Sequence, residues 1–143
     1  MHAPAPFLLP SEPRRRARKH PEDDMQADLV LHIEARKYPD VVYWHTPNSS
    51  KLGGKRTKSG VPLEAIRLKR MGFRKGVSDL VFVHRGNFYA MELKAGDSAR
   101  PTEEQMEFAS DVNAAGGHAV ICHDIDRALR CLERWGLIRG TTV

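Results

Sequence analysis

Three residues within one short stretch have the types and spacing to do chemistry together. The segment GVSDLVFVHRGNFYAMELKAG, residues 76 to 96, is otherwise an apolar hairpin, yet it carries Asp79 near its start and Glu92 and Lys94 near its end. Hydrolysis of a phosphodiester needs charge neutralised on the phosphate, hydroxide near neutral pH, and a stabilised leaving alkoxide. Two carboxylates offer hard oxygen ligands to Mg²⁺ or Mn²⁺. Such a cation acidifies a bound water and polarises the phosphoryl oxygen. A neighbouring ammonium orients the water or holds the scissile phosphate. An Asp followed by Glu-x-Lys is common by chance, and an exposed Glu–Lys pair contributes little to stability. What gives the three residues meaning is the element that positions them.

A two-residue turn at Gly86-Asn87 is the reading the sequence suggests, since these types tolerate positive φ. It opposes Arg85 to Phe88, Val83 to Ala90, Val81 to Glu92 and Asp79 to Lys94. Side chains alternate faces along a strand, and opposed residues share a face. Asp79, Val81 and Val83 then lie on one side with Ala90, Glu92 and Lys94. Leu80, Phe82, Tyr89, Met91 and Leu93 fill the other. Asp79 and Glu92 become diagonal neighbours roughly 7–8 Å apart at the backbone. A slip of one residue would break the grouping.

The chain has 143 residues, 41% hydrophobic and 29% charged, which is the size and composition of one globular domain. No apolar run approaches the roughly 20 residues that span a bilayer. The N-terminal MHAPAPFLLP precedes RRRARK, the reverse of a secretory signal's order. Cys122 and Cys131 lack metal-type spacing and read as free thiols in a reducing cytoplasm. The expected location is therefore the cytoplasm. The net charge is +5, but its distribution matters more. Nine basic residues between Lys51 and Gly76 (Lys51, Lys55, Arg56, Lys58, Arg67, Lys69, Arg70, Arg74, Lys75) face Glu64 alone, a local +8 that leaves −3 for the rest. Such an excess suits a polyanion, since each neutralised phosphate releases counterions.

Residues 1 to 21 are rich in Pro and Arg without periodicity and read as a disordered basic tail, leaving 22 to 140 as the domain. Met25, Leu29 and Ile33 then recur every fourth position, as in an amphipathic helix. VVYWHT reads as a strand, PNSSKLGGKRTKSG as a basic loop, and VPLEAIRLKRMG as a helix stopped by Gly72. After the hairpin, PTEEQMEFASDVNAAGG is a helix entered through Pro101, HAVICH a strand, and DIDRALRCLERWG a helix that Asp124 can cap. Trp135 belongs to the core. The order is α-β-(loop, α)-β-β-α-β-α, a single α/β domain with a mixed central sheet flanked by helices.

The blocks EDDMQADLV, WHTPN, KRMGFRKGVSDLVFV, YAMELKAG, PTEEQMEFASDVNAAGGHAVIC and ALRCLERWGLI together resemble the VRR-NUC group of the PD-(D/E)XK nuclease superfamily, from about Pro21 to Ile138. The resemblance implies a restriction-endonuclease-like αβββαβ core, with the loop and VPLEAIRLKRMG as an insertion. It makes Asp79 and Glu92 metal ligands with the Leu93 carbonyl as a third, and Lys94 the catalytic lysine. Glu22 matches the group's acidic helix position, from which it would reach the metal directly or through water, although Asp23 and Asp24 compete for it and acids at a helix start also suit the dipole. Gln105 matches a glutamine beside the site; it also completes a capping box with Thr102. His45 and Asn48 fall within a matching block, where a lone His has an ordinary structural reading. Ser78 stands where the superfamily often has Pro.

The resemblance further implies a Mg²⁺- or Mn²⁺-dependent deoxyribonuclease. Free-standing members resemble phage and bacterial homodimers that cut branched DNA such as four-way (Holliday) junctions, with Lys51, Lys55, Arg56, Lys58, Lys69, Arg70, Arg74 and Lys75 gripping phosphates. The alternatives are a flap or single-strand nuclease on the same site, a catalytically silent DNA-binding module, and a nuclease held inactive by a partner. No membrane role is expected.

Overall fold

The computed structural model describes residues 20–47 and 54–141. The tail up to residue 19, together with Asn48 and Lys51, lies outside the described residues. Helix α1, Pro21–Arg36, starts with Pro in its first turn and with Glu22, Asp23 and Asp24 against the positive end of its dipole. Its four-residue apolar spacing is explained by burial, because Met25, Leu29 and Ile33 are its buried residues. Strand β1, Val42–His45, and helix α2, Leu63–Arg70, follow. Then come β2, Leu80–His84, β3, Asn87–Leu93, α3, Glu103–Ala114, β4, His118–Cys122, and α4, Ile125–Arg134. The order is the expected one.

The four strands form one sheet in the order β1-β2-β3-β4. β1 and β3 both pair antiparallel with β2, whereas β3 and β4 are parallel. A parallel pair cannot be closed by a tight turn, and α3 makes the crossover. On one face, Leu80, Phe82, Tyr89, Met91 and Leu93 join Met25, Leu29 and Ile33 of α1 and Ala128 and Leu132 of α4. Each large side chain buried there contributes about 1.5–3 kcal/mol. Trp135 packs against this core, its ring 5.1 Å from that of Tyr89. Asp124 caps α4 by accepting the Arg127 N–H at 2.7 Å.

The hairpin register differs from the expectation. His84 pairs with Asn87 and Val81 with Ala90, so the turn is Arg85-Gly86. Both turn residues have positive φ, 50° and 79°. A two-residue turn with both central residues left-handed prefers Gly second, which draws Asn87 into the strand and leaves Arg85 to take the strained first position. Arg85 Nε is anchored to Asp40 Oδ2 at 3.1 Å. The offset moves each pairing by two residues, so every side chain keeps its face. Continuing this register sets Asp79 directly opposite Glu92 instead of diagonal to it.

α2 is amphipathic, but its apolar side is not buried: Leu63, Ile66 and Met71 are exposed, and the helix has no buried residue. It stands apart from the sheet as an insertion between β1 and β2.

Candidate active site

Asp79 sits immediately before β2, and its backbone is held from β1. The Thr46 N–H donates to the Asp79 carbonyl at 2.9 Å. His45 Nδ1 lies 2.9 Å from the same carbonyl and 2.9 Å from Gln26 Nε2 on α1. One ring nitrogen cannot donate to the first and accept from the second. Protonated, Nδ1 donates to the carbonyl; unprotonated, it accepts from Gln26 Nε2–H, and in either tautomer the ring sits between the two groups. His45 thus ties α1 to the Asp79 backbone. The side chain of Asp79 is fixed from β3, where the Leu93 N–H donates to Oδ2 at 2.9 Å.

Glu92 and Lys94 are both buried, 3% and 8% exposed, on the face away from the main core. Glu92 Oε1 accepts from Gln105 Nε2 at 2.5 Å and lies 3.4 Å from Lys94 Nζ. Its other oxygen, Oε2, is buried with no hydrogen-bond partner among the described residues. On the far side, Lys94 Nζ is 4.0 Å from Glu22 Oε1 at the start of α1. Burial pushes the Glu92 carboxyl up to about 7, aided by the charge of Asp79, and the attraction of Lys94 does not offset this. Asp79 is raised too, again by burial, against the Leu93 hydrogen bond and Lys94. Burying such a set costs free energy that apolar residues would not, which marks it as a functional candidate.

Gln105 resolves its two readings by satisfying both. Its backbone N–H donates to Thr102 Oγ1 at 3.2 Å, and its Oε1 accepts the Thr102 N–H at 2.8 Å. The amide nitrogen is then free to hold Glu92. The start of α3 is brought close enough for this by Gly76, whose φ is +78°. A Cβ there would lie 2.4 Å from the Glu104 carbonyl carbon.

The oxygen-only character of Asp79 and Glu92, with one buried carboxylate oxygen unpartnered, fits a hard divalent cation. Among the described residues no group of three His, Cys, Asp or Glu converges on one point. Glu22 stands on the far side of Lys94 from Glu92. Leu93 contributes its backbone at the site through the N–H that fixes Asp79.

Of the basic residues, Lys55, Arg56, Lys58, Lys69, Arg70, Arg74 and Lys75 are all exposed. Arg74 is already engaged, 2.5 Å from Asp111 and over the Phe108 ring. Arg67 is likewise paired with Glu64 at 2.6 Å. The brace formed by His45 and Gln26 has no signal in the sequence. The two are 19 residues apart and meet only when α1 lies against the end of β1.

No family model matches the sequence, and no curated protein matches it. Among solved structures, the chain is similar to a protein described as a VRR_NUC domain protein, with a TM-score of 0.61 at 20% identity. The match covers 83% of this chain and 90% of that one. The fold is therefore of the VRR-NUC type: a four-stranded mixed sheet flanked by helices, with α2 inserted between the first two strands.

Proposed function

We propose that this chain is a divalent-metal-dependent DNA nuclease of the PD-(D/E)XK kind. The observation that carries the reading is the buried Glu92 and Lys94 grouped with the half-buried Asp79 on one sheet face, with Glu92 Oε2 left unpartnered among the described residues. A VRR-NUC fold supports it. Asp79 and Glu92 would hold Mg²⁺ or Mn²⁺, with the Leu93 carbonyl as a third ligand. When bound, the cation supplies hydroxide at neutral pH and charge neutralisation on the phosphate.

The chain's own residues do the rest. The Leu93 N–H fixes one oxygen of Asp79, and Gln105 fixes one oxygen of Glu92, so neither carboxylate has to be ordered when substrate arrives. Lys94, restrained between Glu92 and Glu22, presents N–H donors to the attacking water or to a non-bridging phosphate oxygen. The exposed Lys55, Lys58, Lys69, Arg70 and Lys75 supply phosphate contacts that position the strand without reading bases. Branched DNA is the preferred substrate in this reading, and a homodimer would offer one site per strand.

The test is cleavage of a labelled panel, comprising a four-way junction, a flap, a single strand and a linear duplex, in Mg²⁺, Mn²⁺ or Ca²⁺. The expected result is cutting in Mg²⁺ or Mn²⁺ that is abolished in Asp79→Ala. Binding without cutting, unchanged by that substitution, would leave a DNA-binding module and refute the nuclease.

A further inference from the structure

α3 covers only part of the face that carries the carboxylates. It packs over β4 and reaches Glu92, and Val81 on β2 is buried, whereas among the described residues the β1 edge and the turn end of β2 on the same face stay exposed. The register shows what stands there. Val42 pairs with Val83, and Trp44 with Val81, so Val42, Trp44 and Val83 share the face of Asp79, Glu92 and Lys94. They are 60%, 46% and 36% exposed. Single exposed apolar residues are ordinary, but a contiguous strip containing an indole on an edge strand is a liability unless something uses it. Among the described residues the Trp44 indole has no ring partner and no hydrogen bond.

Its position is specific. Thr46 lies opposite Asp79 through the Thr46 N–H to Asp79 carbonyl bond. Trp44, two residues earlier, is therefore the diagonal neighbour of Asp79 on the shared face, roughly 7–8 Å away at the backbone. A phosphate held at the carboxylates carries nucleosides on both sides, and Trp44 stands one diagonal step from Asp79 on that face.

We propose that Trp44 is a stacking platform for an unpaired nucleobase flanking the scissile phosphate, so that the site selects DNA with an unstacked base at the cut. Inside an intact duplex both faces of every base are occupied by its neighbours, and an indole can stack only on one that has left the helix. Aromatic stacking tolerates any base, since each has a π-face, and it is worth about 1–3 kcal/mol per base. A single-strand region, a flap or the centre of a branch supplies such a base; a continuous duplex does not. The inference rests on the nuclease reading, which places the phosphate, and names the substrate feature that this site prefers.

The chain has two tryptophans, so Trp135→Phe leaves Trp44 as the sole indole emitter. With EDTA present, this variant is titrated with an oligo(dT) strand and with an abasic strand of equal length, while anisotropy of the labelled strand reports binding separately. The expected result is saturable quenching by oligo(dT) and none by the abasic strand. Trp44→Ala should then weaken oligo(dT) binding about 5- to 150-fold, leave abasic binding unchanged, and be largely rescued by Trp44→Phe. In Mg²⁺, the same variant should lose cleavage of single-strand, flap or junction substrates while its residual action on continuous duplex stays the same. Equal affinity of Trp44→Ala and wild type for oligo(dT), with wild-type cutting intact, overturns the stacking role and spares the nuclease. A change in size-exclusion mass for Trp44→Ala without base-dependent quenching overturns it in favour of a second copy of this chain on the strip. A wild-type protein that neither binds nor cuts DNA removes the nuclease reading and this inference with it.

Discussion

Glu92→Gln should stabilise the metal-free protein at alkaline pH while abolishing its response to metal. In the folded chain the Glu92 carboxyl is raised from 4.5 to about 7 by burial and by the charge of Asp79. Between those two values the folded state holds a proton that the unfolded state has released, so stability falls as pH rises from about 4.5 through about 7. At about 1.4 kcal/mol per pH unit the ceiling on this loss is about 3 kcal/mol. Screening at the wetter edge of the site lowers it to about 1–2 kcal/mol. Glutamine keeps an oxygen for Gln105 and Lys94 and cannot ionise, so it escapes the loss. The variant should match wild type at pH about 4.5 and exceed it by about 1–2 kcal/mol at pH about 8, a gain of about 3–6 °C in Tm for a chain of this size. Urea or thermal denaturation in EDTA at both values measures this. Mg²⁺ reverses the order: wild type should gain about 2.7 kcal/mol at a hundredfold excess over Kd, and the variant far less, having lost a ligand. A gain of equal size at both pH values would refute the electrostatic argument. Equal stabilisation of both proteins by Mg²⁺ would refute the assignment of Glu92 to the metal.

Two further outcomes follow from the same geometry. Gly76→Ala puts a Cβ against the Glu104 carbonyl at a positive φ, and denaturation should show a loss of about 2–4 kcal/mol; cleavage should fall further than the unfolded fraction explains, because α3 carries the Gln105 that holds Glu92. Replacing Lys55, Lys58, Lys69 and Arg70 together by Ala should lower the slope of log affinity against log salt by up to about 0.9 for each phosphate no longer neutralised. An unchanged slope in binding titrations would place the DNA elsewhere.

Much of the site is local and is legible along the chain. The shared face of Asp79, Glu92 and Lys94 follows from period-two alternation and survives the shift of the turn, because that shift is an even number of residues. The α1 spacing, the Thr102–Gln105 box and the Asp124 cap each depend on groups within one or two helical turns, where sequence distance and spatial distance agree. The turn falls at Arg85-Gly86 and not at Gly86-Asn87 because both positions need positive φ and only one glycine is available. The preference for Gly in the second position decides it.

Contacts between groups far apart in the chain are not legible along it. Glu22 reaches Lys94, and Gln26 reaches His45, because α1 packs on the core face with its first turns beside these residues. Gln105 serves both cap and site because Gly76 admits the start of α3 close to the segment leading into β2. Periodicity predicts a helix at α2, yet its apolar residues stay exposed, since amphipathicity shows that a face could be buried and not that a partner is there. The same holds for Trp44. An apolar aromatic in a strand reads as core until the sheet order puts that strand at an edge and leaves its face uncovered. Alternation and capping are set by bond geometry over a few residues; exposure and convergence are set by which surfaces the folded chain brings together.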